Sequence, residues 1–295
     1  MRRTVDFHLM ILPCLILLVL FAYVPLAGYY IAFQRYVPAK GLFGAQQWVG
    51  WKNFEYLFAL PDFSDALRNT LVISSAKLAL GLAVSVIFAL LINEVWGSWI
   101  KRTIQTVVYF PHFLSWIILA SVFIDILSPT YGLVNRLIAF FGGQPIFFLG
   151  DNTWFPIMLV TTDVWKEFGF GTIVYLAAIT SINPALYEAA TVDGASKWRQ
   201  ILHITLPGIM PIIVLMALLN LNTILSGNFD QVFNLYSPQV YRSGDILDTL
   251  VYRIGLVDYN FSLSTAAGLF KSTISLILIS VSYYTAYKVA DYRIF

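Results

Sequence analysis

Charged side chains inside long apolar runs are the residues of this chain that could do chemistry, because an ion there is costly without a partner or water. Lys77, Asp125, Asp163, Lys166, Glu167 and Lys271 stand in such runs. Asp163, Lys166 and Glu167 are three and four positions apart, so a helix carries them on one face. Further along come Asn220, Asn222, Thr223, Ser226 and Asn228, and Trp165, Phe168, Phe170 and Tyr175 flank the charged group. Polar groups beside aromatic rings at mid-membrane depth suit a hydrated path for a polyhydroxylated solute. On that reading Asp163, Trp165, Lys166, Glu167, Tyr175, Asn220, Asn222 and Asn228 line the path. The same charges would equally serve as a paired structural network between helices, or as a proton or ion relay. His112, beside Pro111, reads as an interhelical hydrogen-bonder, with no second histidine at metal-ligand spacing.

Catalytic chemistry has no comparable signature. The sequence contains no Gly-x-x-x-x-Gly-Lys-Ser/Thr phosphate loop, no Gly-x-Ser-x-Gly elbow and no His-Glu-x-x-His. Asp163 and Glu167 could form an acid–base pair, but Lys166 sits between them and nothing positions a nucleophile. A membrane transferase acting on lipid-linked sugars would need its catalytic group at the interface, whereas this cluster lies mid-span. The single cysteine, Cys14, precludes an intrachain disulfide and a multi-cysteine metal site.

The elements that hold these groups follow from composition. Of 295 residues, 59% are hydrophobic, 16% aromatic and only 12% charged. Mean hydropathy is +0.75, and a soluble domain carries about twice that share of charge. We therefore expect an all-α polytopic membrane protein forming a single transmembrane domain over 1–295. Six apolar runs are long enough to cross a bilayer, at roughly 9–33, 70–93, 104–127, 153–180, 207–228 and 263–287. The first follows Arg2 and Arg3 but is too long for a secretion signal and lacks a small-x-small cleavage site, so it reads as an uncleaved span kinked by Pro13 and Pro25. With the N-terminus inside, segments 1–8, 94–103, 181–206 and 288–295 hold eight Lys and Arg residues. The much longer segments 34–69, 128–152 and 229–262 hold seven. That bias places both termini in the cytoplasm. A net charge of +2 without a basic cluster gives no sign of nucleic-acid binding. Trp48, Trp51 and Phe54, in an outer segment, suit either membrane-surface anchoring or docking of an extracytoplasmic protein.

One interval on the inner side, 181–206, is polar and has start and stop signals of its own. Asn183 can cap a helix whose first residue is Pro184. Glu188 falls early in that helix, near its positive end. Asp193-Gly194 is a turn pair. A second short helical run extends from Ala195 to about Thr205, and Leu206-Pro207 ends it and opens the next span. Two short helices hung between spans have nothing of their own to fold around, so a partner should receive them. Ala189, Ala190 and Ala195 permit close approach, while Leu186, Tyr187, Trp198 and Ile201 supply apolar contacts. The bland alternative is an amphipathic helix resting on lipid headgroups.

This interval resembles the signature of binding-protein-dependent ABC importer permeases: Glu-Ala-Ala, three residues, Gly, nine residues, Ile, one residue, Leu-Pro. Glu188-Ala189-Ala190, Gly194, Ile204 and Leu206-Pro207 match every fixed position. Leu12-Pro13, Asn69-Thr70-Leu71, Tyr109 to Trp116 and Ala267 to Ser272 are similar to the carbohydrate branch, more narrowly the polysaccharide or lipoprotein-type permeases. The resemblance implies the type I importer fold and a bacterial plasma-membrane location. It also implies a second homologous permease chain, two ABC ATPase subunits, an extracytoplasmic solute-binding protein and an oligosaccharide substrate. ATP and Mg would then be used by the ATPase partner, with no cofactor bound by this chain. Glu188, Ala189, Ala190, Asp193, Gly194, Leu206 and Pro207 would form the ATPase-coupling helix and its turn. An ion-coupled secondary transporter is the other reading, and it leaves the loop pattern without a role.

Overall fold

The computed structural model describes residues 2–42, 44–221 and 224–290. They are all-α apart from one two-residue antiparallel pairing, Gln34–Arg35 with Gln47–Trp48. Among these residues, four helices are long and apolar enough to cross a membrane singly: Leu9–Phe33, Pro61–Glu94, Lys197–Leu221 and Phe261–Thr285. Two bent pairs raise the number to six. The chain divides into two compact units, Met1–Ser64 with Asp248–Thr273, and Asp65–Leu247 with Ile274–Phe295.

In the first unit, Phe33 anchors a ring cluster. It stacks on Trp48 at 5.7 Å and meets Trp51 edge-on at 5.4 Å and Phe54 at 5.4 Å. Buried Ala32, Phe54 and Ala266 form the core beneath. The first span is not one regular helix. A π turn, Val19–Tyr23, passes into 3-10 turns from Val24, where Pro25 lacks a donor and fits the tighter start. The in-span Lys271 is paired with Asp248.

The second unit carries the polar groups. Its cores gather Ile73, Phe155, Leu159, Val232 and Ile246 in one cluster, and Val86, Tyr175, Ile179 and Ile209 in another. The fourth span, Trp154–Thr180, matches its expected bounds. Gly169 on it approaches the third span so closely that a Cβ would sit 2.2 Å from the Val108 carbonyl oxygen.

Three expectations need correction. The run 104–127 is not a straight helix but Ser98–Phe113 and Trp116–Leu127, bent by 102°. Pro111 cannot continue the hydrogen-bond ladder, and Ser115 starts the second piece by accepting from the Ile118 amide at 3.4 Å. Leu206-Pro207 does not end a helix either. Lys197–Leu221 is continuous, because a π turn at Ile201–Thr205 sends the Leu206 amide back five residues to the Ile201 carbonyl. The wider turn gives the Pro207 ring the room that a regular helix denies it. The fifth span thus begins earlier than 207, and it does not reach 228 as one α-helix: its described α-helical part is Leu206–Leu221, and Ile224–Ser226 is a 3-10 turn. Beyond it, Asn228 is left-handed at φ 62° and precedes a separate helix, Phe229–Leu235.

Candidate functional site

Span two presents Ser74, Lys77, Gly81 and Ser85 along one face, at intervals of three and four residues. Span four presents Asp163, Glu167, Gly171 and Tyr175 likewise, with Phe168 beside them. These faces, with Met216, Asn220, Ser226 and Asn228, enclose a cavity of about 550 Å³. That is the size range of small-molecule sites.

At one end lies an ion pair held from all sides. Lys77, only 8% exposed, is 3.5 Å from Asp163 Oδ1. The ammonium also donates to the Gly227 carbonyl at 3.2 Å and to Gln231 Oε1. Asp163 accepts a second bond from Asn228 Nδ2 at 2.8 Å. Gln231 is wholly buried and donates to the Leu159 carbonyl at 2.7 Å and to Thr162 Oγ1 at 2.8 Å. A buried charge is tolerable only with such a complete set of partners.

A second cluster grows from the break in span three. Breaking the helix at Pro111 frees carbonyls that need donors. Lys166 Nζ supplies one, donating to the His112 carbonyl at 2.9 Å. It also binds Glu167 Oε1 at 2.8 Å and lies 5.7 Å over the Trp116 ring. The other Glu167 oxygen is 2.7 Å from His112 Nδ1, and the His112 ring stacks on Phe170 at 4.1 Å. His112 is therefore an interhelical hydrogen-bonder.

Of the residues assigned to the path from sequence, Asp163, Glu167, Tyr175, Asn220 and Asn228 line this cavity. Trp165 and Lys166 do not. Trp165 turns away to meet Phe123 edge-on at 5.6 Å, and Lys166 is buried beneath the broken helix. Asn222, like Thr223, falls outside the described residues. Sequence reading passed over Ser74 and Gln231, which carry no charge to mark them as costly. Ser74 Oγ and the Tyr175 hydroxyl line the cavity, are buried and have no hydrogen-bond partner among the described residues. A hydroxyl in that position is paid for only when water or a ligand meets it.

The interval after span four forms a hook. Asn183 caps the helix Pro184–Val192, accepting from the Ala185 amide at 3.0 Å. That helix is bent by 69° from span four. Gly194, at φ +74°, closes it: the Ala195 amide reaches back to the Ala190 carbonyl at 2.8 Å and the Gly194 amide to Thr191 at 3.1 Å. This is the glycine-closed Schellman ending. Ser196 caps the next helix, accepting from the Arg199 amide at 3.4 Å. Glu188, Ala189, Asp193 and Gly194 are exposed and Ala190 half-buried, with Leu186 and Trp198 exposed beside them. Tyr187, expected on the contact face, instead turns inward to Thr205 Oγ1 at 3.0 Å. Leu206 is half-buried and Pro207 exposed, where the hook enters span five.

A family model described as "Binding-protein-dependent transport system inner membrane component" matches residues 81–295, the hook included. The chain belongs to this family. It is a multi-pass inner-membrane permease of a binding-protein-dependent ABC importer. The permease is 43% identical over 98% of its length, and 89% of the relative's, to the polygalacturonan/rhamnogalacturonan transport system permease protein YteP of Bacillus subtilis. It is 40% identical to protein LplB of the same organism, over 98% of this chain and 90% of that one. Among solved structures it resembles a chain of a bacterial ABC transporter involved in the import of the acidic polysaccharide alginate. The TM-score is 0.90 and the identity 37%, covering 98% of the permease and 97% of that chain. A second alginate transporter structure, in complex with an alginate pentasaccharide-bound periplasmic protein, matches with TM-score 0.89 and 36% identity, covering 98% and 96%.

Proposed function

We propose that this permease forms one half of the translocation path of an ATP-driven importer for an oligosaccharide or polysaccharide fragment delivered by an extracytoplasmic binding protein. The observation that carries the reading is the cavity. Its charged residues Lys77, Asp163 and Glu167 are all paired, and two buried hydroxyls, Ser74 and Tyr175, still lack partners among the described residues. Aromatic Phe168, Phe170 and Tyr175 stand beside them. Such a wall offers hydroxyls hydrogen bonds and sugar rings apolar faces. The relatives named for polygalacturonan and alginate point to the same class.

The energy comes from outside this chain. A second homologous permease completes the path, and two ATPase subunits, using ATP and Mg, receive the hook on the cytoplasmic side, where both termini also lie. Glu188, Ala189, Ala190, Asp193 and Gly194 form the docking helix and turn, and Leu206-Pro207 passes the movement into span five. The hook joins spans four and five directly, so closure of the ATPases rocks both together and opens the cavity alternately to each side. Asp163, Glu167, Tyr175, Asn220 and Asn228 then face the passing solute.

Two variants of the purified complex test the docking role. Glu188, expected near the helix's positive end, lies instead at its middle, outside the first turn. Glu188→Lys therefore acts by reversing an exposed charge on the docking helix, and Gly194→Pro removes the amide that closes the helix while forbidding φ +74°. Uptake of an oligogalacturonide from its loaded binding protein should collapse in both while membrane insertion survives. Normal uptake by both would reject the role.

A further inference from the structure

Outside the cavity, a closed polar arrangement lies inside the hook. Among the residues from 183 to 204, Gln200 alone is buried, at 4% exposure. It sits in the middle of an otherwise open segment, with Val192 at 87% and Trp198 at 67% exposure. Both hydrogens of its amide are used. One goes to Thr191 Oγ1 at 3.1 Å, on the first arm, and the other to the Ala195 carbonyl at 3.2 Å, in the turn. Thr191 Oγ1 in turn donates to the Tyr187 carbonyl at 2.7 Å. The Tyr187 hydroxyl meets Thr205 Oγ1 at 3.0 Å, and Thr205 Oγ1 reaches the Gln200 carbonyl at 3.5 Å. The bonds close a ring through Tyr187, Thr191, Gln200 and Thr205, and Thr205 is itself buried in the π turn that leads into span five.

We propose that Gln200 is a positioning residue for coupling: it locks the hook's two arms at a fixed angle, so that a push on the exposed helix reaches span five instead of being absorbed at the turn. The inference rests on the docking role proposed above and adds to it a residue that touches neither ATPase nor solute. The physical reason is that a nine-residue helix in the open has little stiffness of its own. The Schellman closure alone leaves the Gly194 turn as a hinge. The ring ties the first arm to the second, which runs on unbroken into span five, and does so with a side chain shielded from water, where its bonds face least competition.

The test uses the complex of this chain with its partner permease and ATPases, with Cys14 replaced by serine. Spin labels at Val192→Cys and Trp198→Cys report the angle between the arms, with and without ATP and vanadate. In a separate preparation Ser226→Cys, on the cavity wall, reports movement of the path through its reactivity with a water-soluble thiol reagent. With Gln200 present, the spin–spin distance should be a single narrow distribution in both states, and ATP with vanadate should change the thiol reactivity. Gln200→Leu should broaden that distribution at least about twofold and abolish the ATP-dependent change in reactivity. ATPase subunits should still copurify, and basal hydrolysis should stay within about twofold. Thr191→Val should reproduce the effect and Thr191→Ser, which keeps the hydroxyl, should restore the native behaviour. That pair decides the matter if Gln200→Leu fails to assemble. Narrow distributions and native ATP-dependent reactivity in both Gln200→Leu and Thr191→Val would overturn the proposal. Retention of the ATPases and of the native response by Glu188→Lys would instead overturn the docking role on which it rests.

Discussion

Lys77 and Asp163 show how a single residue type can mislead when read alone. From sequence each is an expensive ion that either lines a path or pairs, and the chain itself cannot say which. In the structure both happen: they face the cavity and neutralise one another, with Asn228, Gln231 and the Gly227 carbonyl completing the shell. Removing one partner leaves a buried charge without compensation. Lys77→Met should therefore lower stability by about 3–5 kcal/mol, whereas the double variant Lys77→Met/Asp163→Leu should cost clearly less. Thermal melting of the detergent-purified protein measures both, and equal losses would show that the pair contributes nothing as a pair. Lys166 was legible as a charge but not in its duty. Its place under the His112 carbonyl depends on a helix break whose angle no local spacing encodes.

Among the elements, the breaks carry more information than the regular stretches. Irregular turns stand at Pro25, Pro111 and Pro207, and each is resolved differently: by 3-10 turns, by a capped restart, and by a π turn inside an unbroken helix. Pro13, expected to kink the first span, lies inside the helix Arg2–Leu18, and no break was expected at Pro111. Proline removes one donor and excludes one carbonyl, and the neighbours decide how the chain relieves the clash. Gly169 belongs to this level as well. Its missing side chain lets span four rest against the Val108 backbone of span three. Gly169→Val should cost about 1–3 kcal/mol through overpacking. It should also loosen the contact that sets His112 beside Glu167, read out as a lower melting midpoint and faster amide exchange in residues 104–113. An unchanged midpoint would mean that the two helices part there without penalty.

For the whole molecule, the pairing of in-span charges bears on the source of energy. A proton or ion relay needs groups that change partners, while Asp163, Glu167 and Lys271 each hold one of opposite sign. Uptake of the transported saccharide into membrane vesicles should therefore persist with an uncoupler present, provided internal ATP is maintained, and should cease on ATP depletion with the proton gradient intact. The opposite pattern would return the ion-coupled reading.

Composition and apolar run length by themselves determined an all-α polytopic protein, because the bilayer leaves a hydrophobic stretch of that length few other ways to satisfy its backbone. The start and the turn of the hook were legible too, since Asn183 and Gly194 act through bonds to residues a few positions away. The Ser196 cap, the inward Tyr187 and the helix running on through Pro207 were not. Nor was what lies between distant segments. Gln231 meets Lys77 and Thr162 from far along the chain, and Ser74 and Tyr175 are conspicuous only because nothing among the described residues answers their hydroxyls. A neutral side chain gives no sign of its cost until burial removes water from it, and burial is decided by which helices come together.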